Sequence, residues 1–204
     1  MDRFYPIFDS AAWFTRALPL GVRFAQIRIK SQPEEQTRVE IREALELCAE
    51  FDAMLVVNDH WEIAIEEGAS FVHLGQEDLD DADVGAIRNA GLKLGVSTHD
   101  ETELERALTL APDYIALGPV YPTRLKKMRW YEQGLARVQE WKEAIDPIPL
   151  CAIGGLSVER APGVIAAGAD ILSVVTDITL NADPEARIRA WIAATQTSQS
   201  EEIL

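Results

Sequence analysis

The chain has 204 residues, 48% apolar and 26% charged, with a formal net charge of −15. That length and balance fit one globular domain with a real core, and the acidic excess excludes general binding to nucleic acid or anionic membranes, whose phosphates it repels. Small anionic substrates stay possible, because a few Lys and Arg inside a cleft can dominate locally.

In chain order, short strand-like runs alternate with longer helical ones. The opening Met1-Asp-Arg-Phe-Tyr-Pro has no long apolar stretch, so neither signal peptide nor membrane span is expected and the cytoplasm is the default. Tyr5–Phe8 reads as the first strand and Ala11–Leu18 as a short helix. Phe24–Ile29 precedes a long helix over Glu34–Glu50. Ala53–Val57 precedes Trp61–Glu67, Phe71–Leu74 precedes Asp81–Ala90, and Lys93–Val96 precedes Glu101–Leu110. Tyr114–Leu117 is followed by a longer connection, Pro119–Gly134, and then by Leu135–Ala144. Leu150–Ile153 precedes Val158–Ala167, and Ile171–Val175 precedes Pro184–Ala194. Gly68, Gly91 and Gly168 stand where helices need a left-handed C-cap. Asp100 and Ser157 stand where N-caps belong, and Pro184 sits in a first turn, where its missing N–H costs nothing. Cys48 falls in a helical run and Cys151 in a strand-like one, as expected for two buried thiols in a reducing compartment. The domain is expected to span 1–194, with 195–204 as a loose polar tail.

Eight strand–helix units predict a single (β/α)8 TIM barrel with its active site at the C-terminal ends of the strands. The open doubly wound alternative lacks a G-x-G-x-x-G after the first strand. In so short a barrel, the Pro119–Gly134 connection is a candidate lid.

The strand ends carry the chemistry. In Gln26-Ile-Arg28-Ile-Lys30 the side chains alternate between faces, so the isoleucines meet the helices and the three polar residues face the barrel mouth. A bound anion would compensate the two cations. Asn58-Asp59 and His73-Leu-Gly-Gln-Glu-Asp78 put Asp59 and Asp78 at neighbouring strand ends, where they could share a hard cation such as Mg²⁺; each could instead cap a helix. Ser97 could hydrogen-bond a substrate, with no nucleophile elbow around it. His73 reads as a packed barrel residue, whereas His60 and His99 are ambiguous; the spacing of the three makes no zinc site. Thr123 offers a hydroxyl and Lys126 a point charge for phosphate, while Arg124, Lys127 and Arg129 read equally well as a solvated basic loop. Trp130 and Tyr131 could close over a ligand or pack on the surface. Gly154-Gly155 and Val174-Val175-Thr176 end the last two strands, where barrels commonly hold phosphate.

Taken in order, Gln26-x-Arg28-x-Lys30, Asn58-Asp59, His73-Leu-Gly-Gln-Glu-Asp78, Gly95-Val-Ser97, Gly118-Pro-x-x-Pro-Thr123, Ala152-Ile-Gly-Gly155 and Val174-Val-Thr176 resemble the thiamine phosphate synthase family over nearly the whole chain. The resemblance implies an enzyme that joins a hydroxymethylpyrimidine diphosphate to a thiazole phosphate, releasing pyrophosphate. It further implies that Gln26, Arg28, Lys30, Asn58, Ser97 and Lys126 hold the pyrimidine diphosphate, with Arg28, Ser97 and Lys126 as catalytic residues. Asp59 and Asp78 would hold Mg²⁺; Thr123, the Leu125 position, Gly155, Val175 and Thr176 would hold the thiazole phosphate. The implied partners are these small molecules, with no nucleic acid or membrane; homo-oligomer formation is left open. Two positions depart from the family pattern: Leu125 replaces a threonine, removing one hydroxyl contact, and Thr176 replaces a serine, keeping the hydroxyl. The sister thiazole tautomerases, with His99 as acid–base residue, are one alternative, although they generally lack the aspartate pair. A non-catalytic barrel that senses a thiamine precursor is another, supported only by Leu125.

Overall fold

The structure is a computed structural model that describes residues 1–123 and 131–196. Strands β1 (Phe4–Phe8), β2 (Phe24–Ile27), β3 (Met54–Asn58), β4 (Phe71–Leu74), β5 (Lys93–Thr98), β6 (Tyr114–Leu117), β7 (Leu150–Ile153) and β8 (Ile171–Val174) pair in parallel, in sequence order, into a closed barrel. β1 closes on β8 with Phe4 opposite Leu172 and Pro6 opposite Val174. Between the strands run α1 (Ala11–Ala17), α2 (Glu34–Glu50), α3 (Trp61–Glu66), α4 (Asp78–Asp81), α5 (Val84–Asn89), α6 (Glu101–Thr109), α7 (Gly134–Ile145), α8 (Ala161–Ala166) and α9 (Thr176–Thr179), and α10 (Pro184–Gln196) follows the last strand.

Alternation along the strands sorts the side chains into two cores. Phe4, Phe8, Ala25, Ile27, Leu55, Val57, Val72, Leu74, Leu94 and Val96 face the helices and bury their apolar faces. Tyr5, Phe24, Val56, Phe71, Tyr114, Cys151 and Ile171 fill the lower barrel interior. Above them the interior turns polar: Gln26, Asn58, His73 and Ser173 are buried there. The barrel is thus plugged at its N-terminal end and open to chemistry at the other.

The punctuation behaves as anticipated at most positions. Gly68, Gly91 and Gly168 have φ of 72°, 81° and 100°. The Asp100 carboxylate accepts from the Glu103 N–H at 2.9 Å. Both cysteines are buried and unpaired.

Several local expectations need correction. The single helix expected over Asp81–Ala90 is two, because Ala82 is extended and the Asp83 side chain caps a fresh helix through the Ala86 N–H at 2.8 Å. Ser157 is no N-cap: regular helix begins at Ala161, since Pro162 has no N–H to give the Val158 carbonyl. β2 ends at Ile27 rather than Ile29, because its neighbour β1 stops at Phe8; one last bond joins the Arg28 N–H to the Phe8 carbonyl at 2.7 Å. The four-residue α9 was not anticipated, since Thr176 and Ile178 read as strand formers. α10 reaches Gln196, two residues past the expected boundary, with Thr195 buried and its hydroxyl donating to the Trp191 carbonyl at 2.9 Å. Among the described residues, no helix is long and apolar enough to cross a membrane.

Candidate active site

At the C-terminal mouth of the barrel lies a cavity of about 810 Å³, a size suited to small-molecule ligands. Gln26, Arg28, Asn58 and Ser97 line it from β2, β3 and β5, and Thr123, Gly155, Val175 and Thr176 line it from the opposite side. Eight of the expected site residues therefore share one chamber. Lys30, Asp59 and Asp78 are not among the lining residues; Asp59 follows the lining residue Asn58 and pairs with Lys30, and the Asp78 carboxyl neighbours Asp59 and acts on His73. Leu125 and Lys126, together with Arg124, Lys127, Arg129 and Trp130, lie outside the described residues. Tyr131 is 90% exposed.

The β2 side is rich in hydrogen-bond donors. Arg28 is exposed while Ile29 is buried, so the alternation holds past the end of the strand. Arg28 has no carboxylate partner among the described residues, and the buried Asn58 Nδ2 has no hydrogen-bond partner. An exposed guanidinium and a buried, unpartnered amide N–H thus line one cavity, donors that an anionic or strongly accepting ligand can use.

The two aspartates do not cap helices. Asp59 has φ of 63°, and its carboxylate pairs with Lys30 Nζ rather than with any N–H of α3. The Asp78 carboxylate folds back to accept from the Gly75 N–H at 3.1 Å. Burial pushes the Asp78 carboxyl above its ordinary range, and the neighbouring Asp59 charge raises it further. Two carboxylates that repel each other, with an ammonium already drawn to one, fit a site for a small divalent cation, which takes one or two protein carboxylates and completes its shell with water or phosphate oxygens.

Sequence reasoning gave no binding role to several lining residues, His73, Asp9 and Trp13 among them. His73 is locked between the Tyr114 hydroxyl on Nδ1 (2.7 Å) and the Ser97 hydroxyl on Nε2 (2.8 Å), and burial lowers its pKa to about 4. Asp9 and Trp13 follow β1, whose apolar ending carried no chemical signal. Trp13 stacks on Phe8 at 5.4 Å between centroids. Together with Leu156 and Leu180 it makes part of the cavity wall apolar. His99 also lines the cavity, with Nδ1 against Glu103 Oε2 at 2.7 Å. His60 turns away, its Nε2 on the Ile29 carbonyl at 3.2 Å. Gln76 ties two strand ends together, donating to the Ser97 carbonyl at 2.7 Å.

The glycines after β7 have a use the sequence did not reveal. Gly154 and Gly155 have φ of 98° and 65°, open to glycine and strained for other residues. A Cβ on Gly155 would lie 2.6 Å from the Pro122 carbonyl oxygen, and one on Gly154 would lie 2.6 Å from Pro119 Cα. The space is thus taken first by the loop after β6, which bonds back through the Tyr121 N–H to the Gly154 carbonyl at 3.0 Å. Arg160 clamps the same corner, donating to the Gly155 carbonyl at 2.5 Å over the Tyr121 ring.

Comparison with known proteins agrees with this geometry. The sequence model of thiamine monophosphate synthase matches residues 5–178. A thiamine-phosphate synthase of Rhizobium etli is 58% identical over 96% of both chains. One of Salmonella newport is 47% identical over 94% of this chain and 87% of its own. The solved thiamine phosphate pyrophosphorylase of Pyrococcus furiosus superposes with a TM-score of 0.85 at 25% identity, covering 96% of each chain. On the match along the barrel and the identity to these relatives, the chain belongs to the thiamine monophosphate synthase family.

Proposed function

We propose that the chain is a thiamine phosphate synthase, coupling a hydroxymethylpyrimidine diphosphate to a thiazole phosphate with release of pyrophosphate. The observation that carries this reading is the exposed Arg28 guanidinium lining the cavity, together with the Asp59–Asp78 carboxylate pair. A diphosphate is the ligand that needs both. The names of the relatives point to the same reaction.

In this reading Arg28, Lys30, Asn58 and Ser97 bind the pyrimidine diphosphate, and Gln26 sets the floor beneath the ring. Arg28 stabilises charge developing on the departing pyrophosphate, an electrostatic role aimed at the transition state; Lys126 is assigned the same role from sequence. Asp59 and Asp78 would hold Mg²⁺, which when bound neutralises diphosphate charge. The electron-rich pyrimidine supports the methylene carbon as the pyrophosphate leaves, and the thiazole nitrogen attacks that carbon. Thr123, Gly155, Val175 and Thr176 hold the thiazole phosphate on the opposite wall; the Leu125 position is assigned to the same phosphate from sequence. The protein's remaining contribution is to hold two substrates in line within one chamber. No side chain need act as a nucleophile.

Calorimetric titration with the pyrimidine diphosphate tests the assignment. Affinity should rise with Mg²⁺ in the wild type and lose that dependence in Asp59→Ala and Asp78→Ala. Identical Mg²⁺ dependence in all three would remove the metal site. The tautomerase alternative loses ground to the aspartate pair, which an enzyme handling no diphosphate has no use for.

A further inference from the structure

A continuous line of hydrogen bonds links the aromatic lower interior of the barrel to the polar layer above it and ends at the cavity. Gln26 Nε2 donates to the Tyr5 hydroxyl at 2.7 Å. The Tyr5 and Tyr114 hydroxyls are 3.0 Å apart, Tyr114 meets His73 Nδ1 at 2.7 Å, and His73 Nε2 meets the Ser97 hydroxyl at 2.8 Å. Tyr5 and Tyr114 are 1% and 0% exposed, so bulk solvent does not reach these hydroxyls. Burial drives both phenols well above their ordinary pKa, which keeps each an O–H donor.

The line has one consistent direction. An amide N–H can only donate, so Tyr5 accepts from Gln26, and donation of its own proton to Tyr114 is the arrangement that leaves neither phenolic proton without a partner. Tyr114 then donates to His73 Nδ1. A neutral imidazole that accepts at Nδ1 carries its proton on Nε2, and His73 therefore donates to Ser97. With its oxygen accepting from His73, the Ser97 hydroxyl is free to turn its own proton to the cavity. In the opposite direction Ser97 would spend that proton on His73 and present only lone pairs to an incoming anion.

Gly95 makes this geometry possible. A Cβ there would fall 2.2 Å from Tyr114 Cζ and 2.6 Å from its oxygen, so only glycine lets the phenol cross the barrel to His73. Asp78 and Arg28 are the charged groups whose fields reach His73, and they act in opposite senses.

We propose that Tyr5 and Tyr114 are positioning residues that hold His73 as its Nε2–H tautomer, so that Ser97 donates its hydroxyl proton to an anionic oxygen of the bound pyrimidine diphosphate. The substrate named rests on the functional reading above; the ladder itself rests on the four contacts.

The test is long-range ¹H–¹⁵N correlation spectroscopy on the histidines of the ligand-free full chain, with Tyr114→Phe and Tyr5→Phe beside the wild type. The wild type should show His73 protonated at Nε2 and bare at Nδ1. Tyr114→Phe removes the donor to Nδ1, so His73 should become a mixture of tautomers. Its kcat should fall roughly tenfold, the worth of about one hydrogen bond, with KM for the thiazole phosphate little changed. Tyr5→Phe should shift both readouts in the same direction by less. A wild-type His73 protonated at Nδ1 would overturn the proposal, as would a lower kcat in the phenylalanine variants with an unchanged His73 spectrum. Should Tyr114→Phe fail to fold, the wild-type tautomer and Tyr5→Phe still decide. The tautomer is read without substrates, so a failure of the coupling reaction is distinguishable from a failure of the ladder.

Discussion

Arg28 is the residue whose surroundings say most about function. It is exposed and unpaired among the described residues, so it contributes little to folding. Its removal should leave the melting temperature nearly unchanged. Affinity for the pyrimidine diphosphate, measured calorimetrically, should drop about 10- to 100-fold in Arg28→Ala, the usual loss for a hydrogen bond to a charged group; unaltered affinity would show that the diphosphate binds elsewhere. His73 behaves in the opposite way. Its folded pKa of about 4 lies below the ordinary 6.5, so between these values the unfolded chain binds the extra proton. Stability from this group is present above pH 6.5 and is lost as pH falls toward 4, by on the order of 3 kcal/mol. Chemical denaturation across that window should show the decline, and His73→Gln should show less of it. Arg28 was legible in the sequence because alternation with two isoleucines dictates where it points. His73 was legible only as a buried residue. Its cavity-facing role depends on Tyr5 and Tyr114, which stand 68 residues before it and 41 after it.

At the scale of elements, a repeated clamp holds strands β5 and β7 at the end of the barrel away from the cavity. Asp113 gives its N–H to the Leu94 carbonyl at 2.7 Å and accepts from the Leu94 N–H at 2.8 Å, with Arg88 at 2.7 Å on the same oxygen. Asp170 repeats this on Leu150, at 2.9 Å and 2.8 Å, with Lys142 at 3.0 Å. Nothing local in the sequence marks either aspartate, because the partner strand lies about 20 residues upstream. Asp170→Ala should cost about 1–3 kcal/mol through the orphaned Leu150 N–H and the unpaired Lys142, seen as a lower melting temperature with kcat unchanged. An equal loss of kcat would mean that the clamp reaches the site. Element order was readable throughout, because the strands alternate apolar runs with glycine stops. The errors fell where backbone chemistry overrides periodicity: the Asp83 cap that splits α4 from α5, and the missing N–H of Pro162.

For the molecule as a whole, the barrel separates two tasks. Its aromatic lower plug and helix-facing core hold the fold, while the polar upper layer and the loops above it are free to carry chemistry. The acidic net charge of −15 lies mostly on helices outside this chamber and says little about what enters it. The proposed division of the mouth into a diphosphate wall from β2 to β5 and a monophosphate wall from β6 to β8 comes from the family resemblance; strand order contributes only the grouping of those residues on opposite sides of the barrel. The contact between the loops after β6 and β7 does not follow from it, because it requires knowing that the backbones at Pro122 and Gly155 touch. The central claim is that this mouth couples two phosphorylated rings. The direct measurement is pyrophosphate release by the purified chain supplied with the pyrimidine diphosphate and the thiazole phosphate, together and singly, with and without Mg²⁺. Release that requires both substrates and Mg²⁺, with thiamine phosphate formed in equal amount, is the predicted result. Tautomerisation of the thiazole without coupling, or ligand binding without turnover, would contradict it.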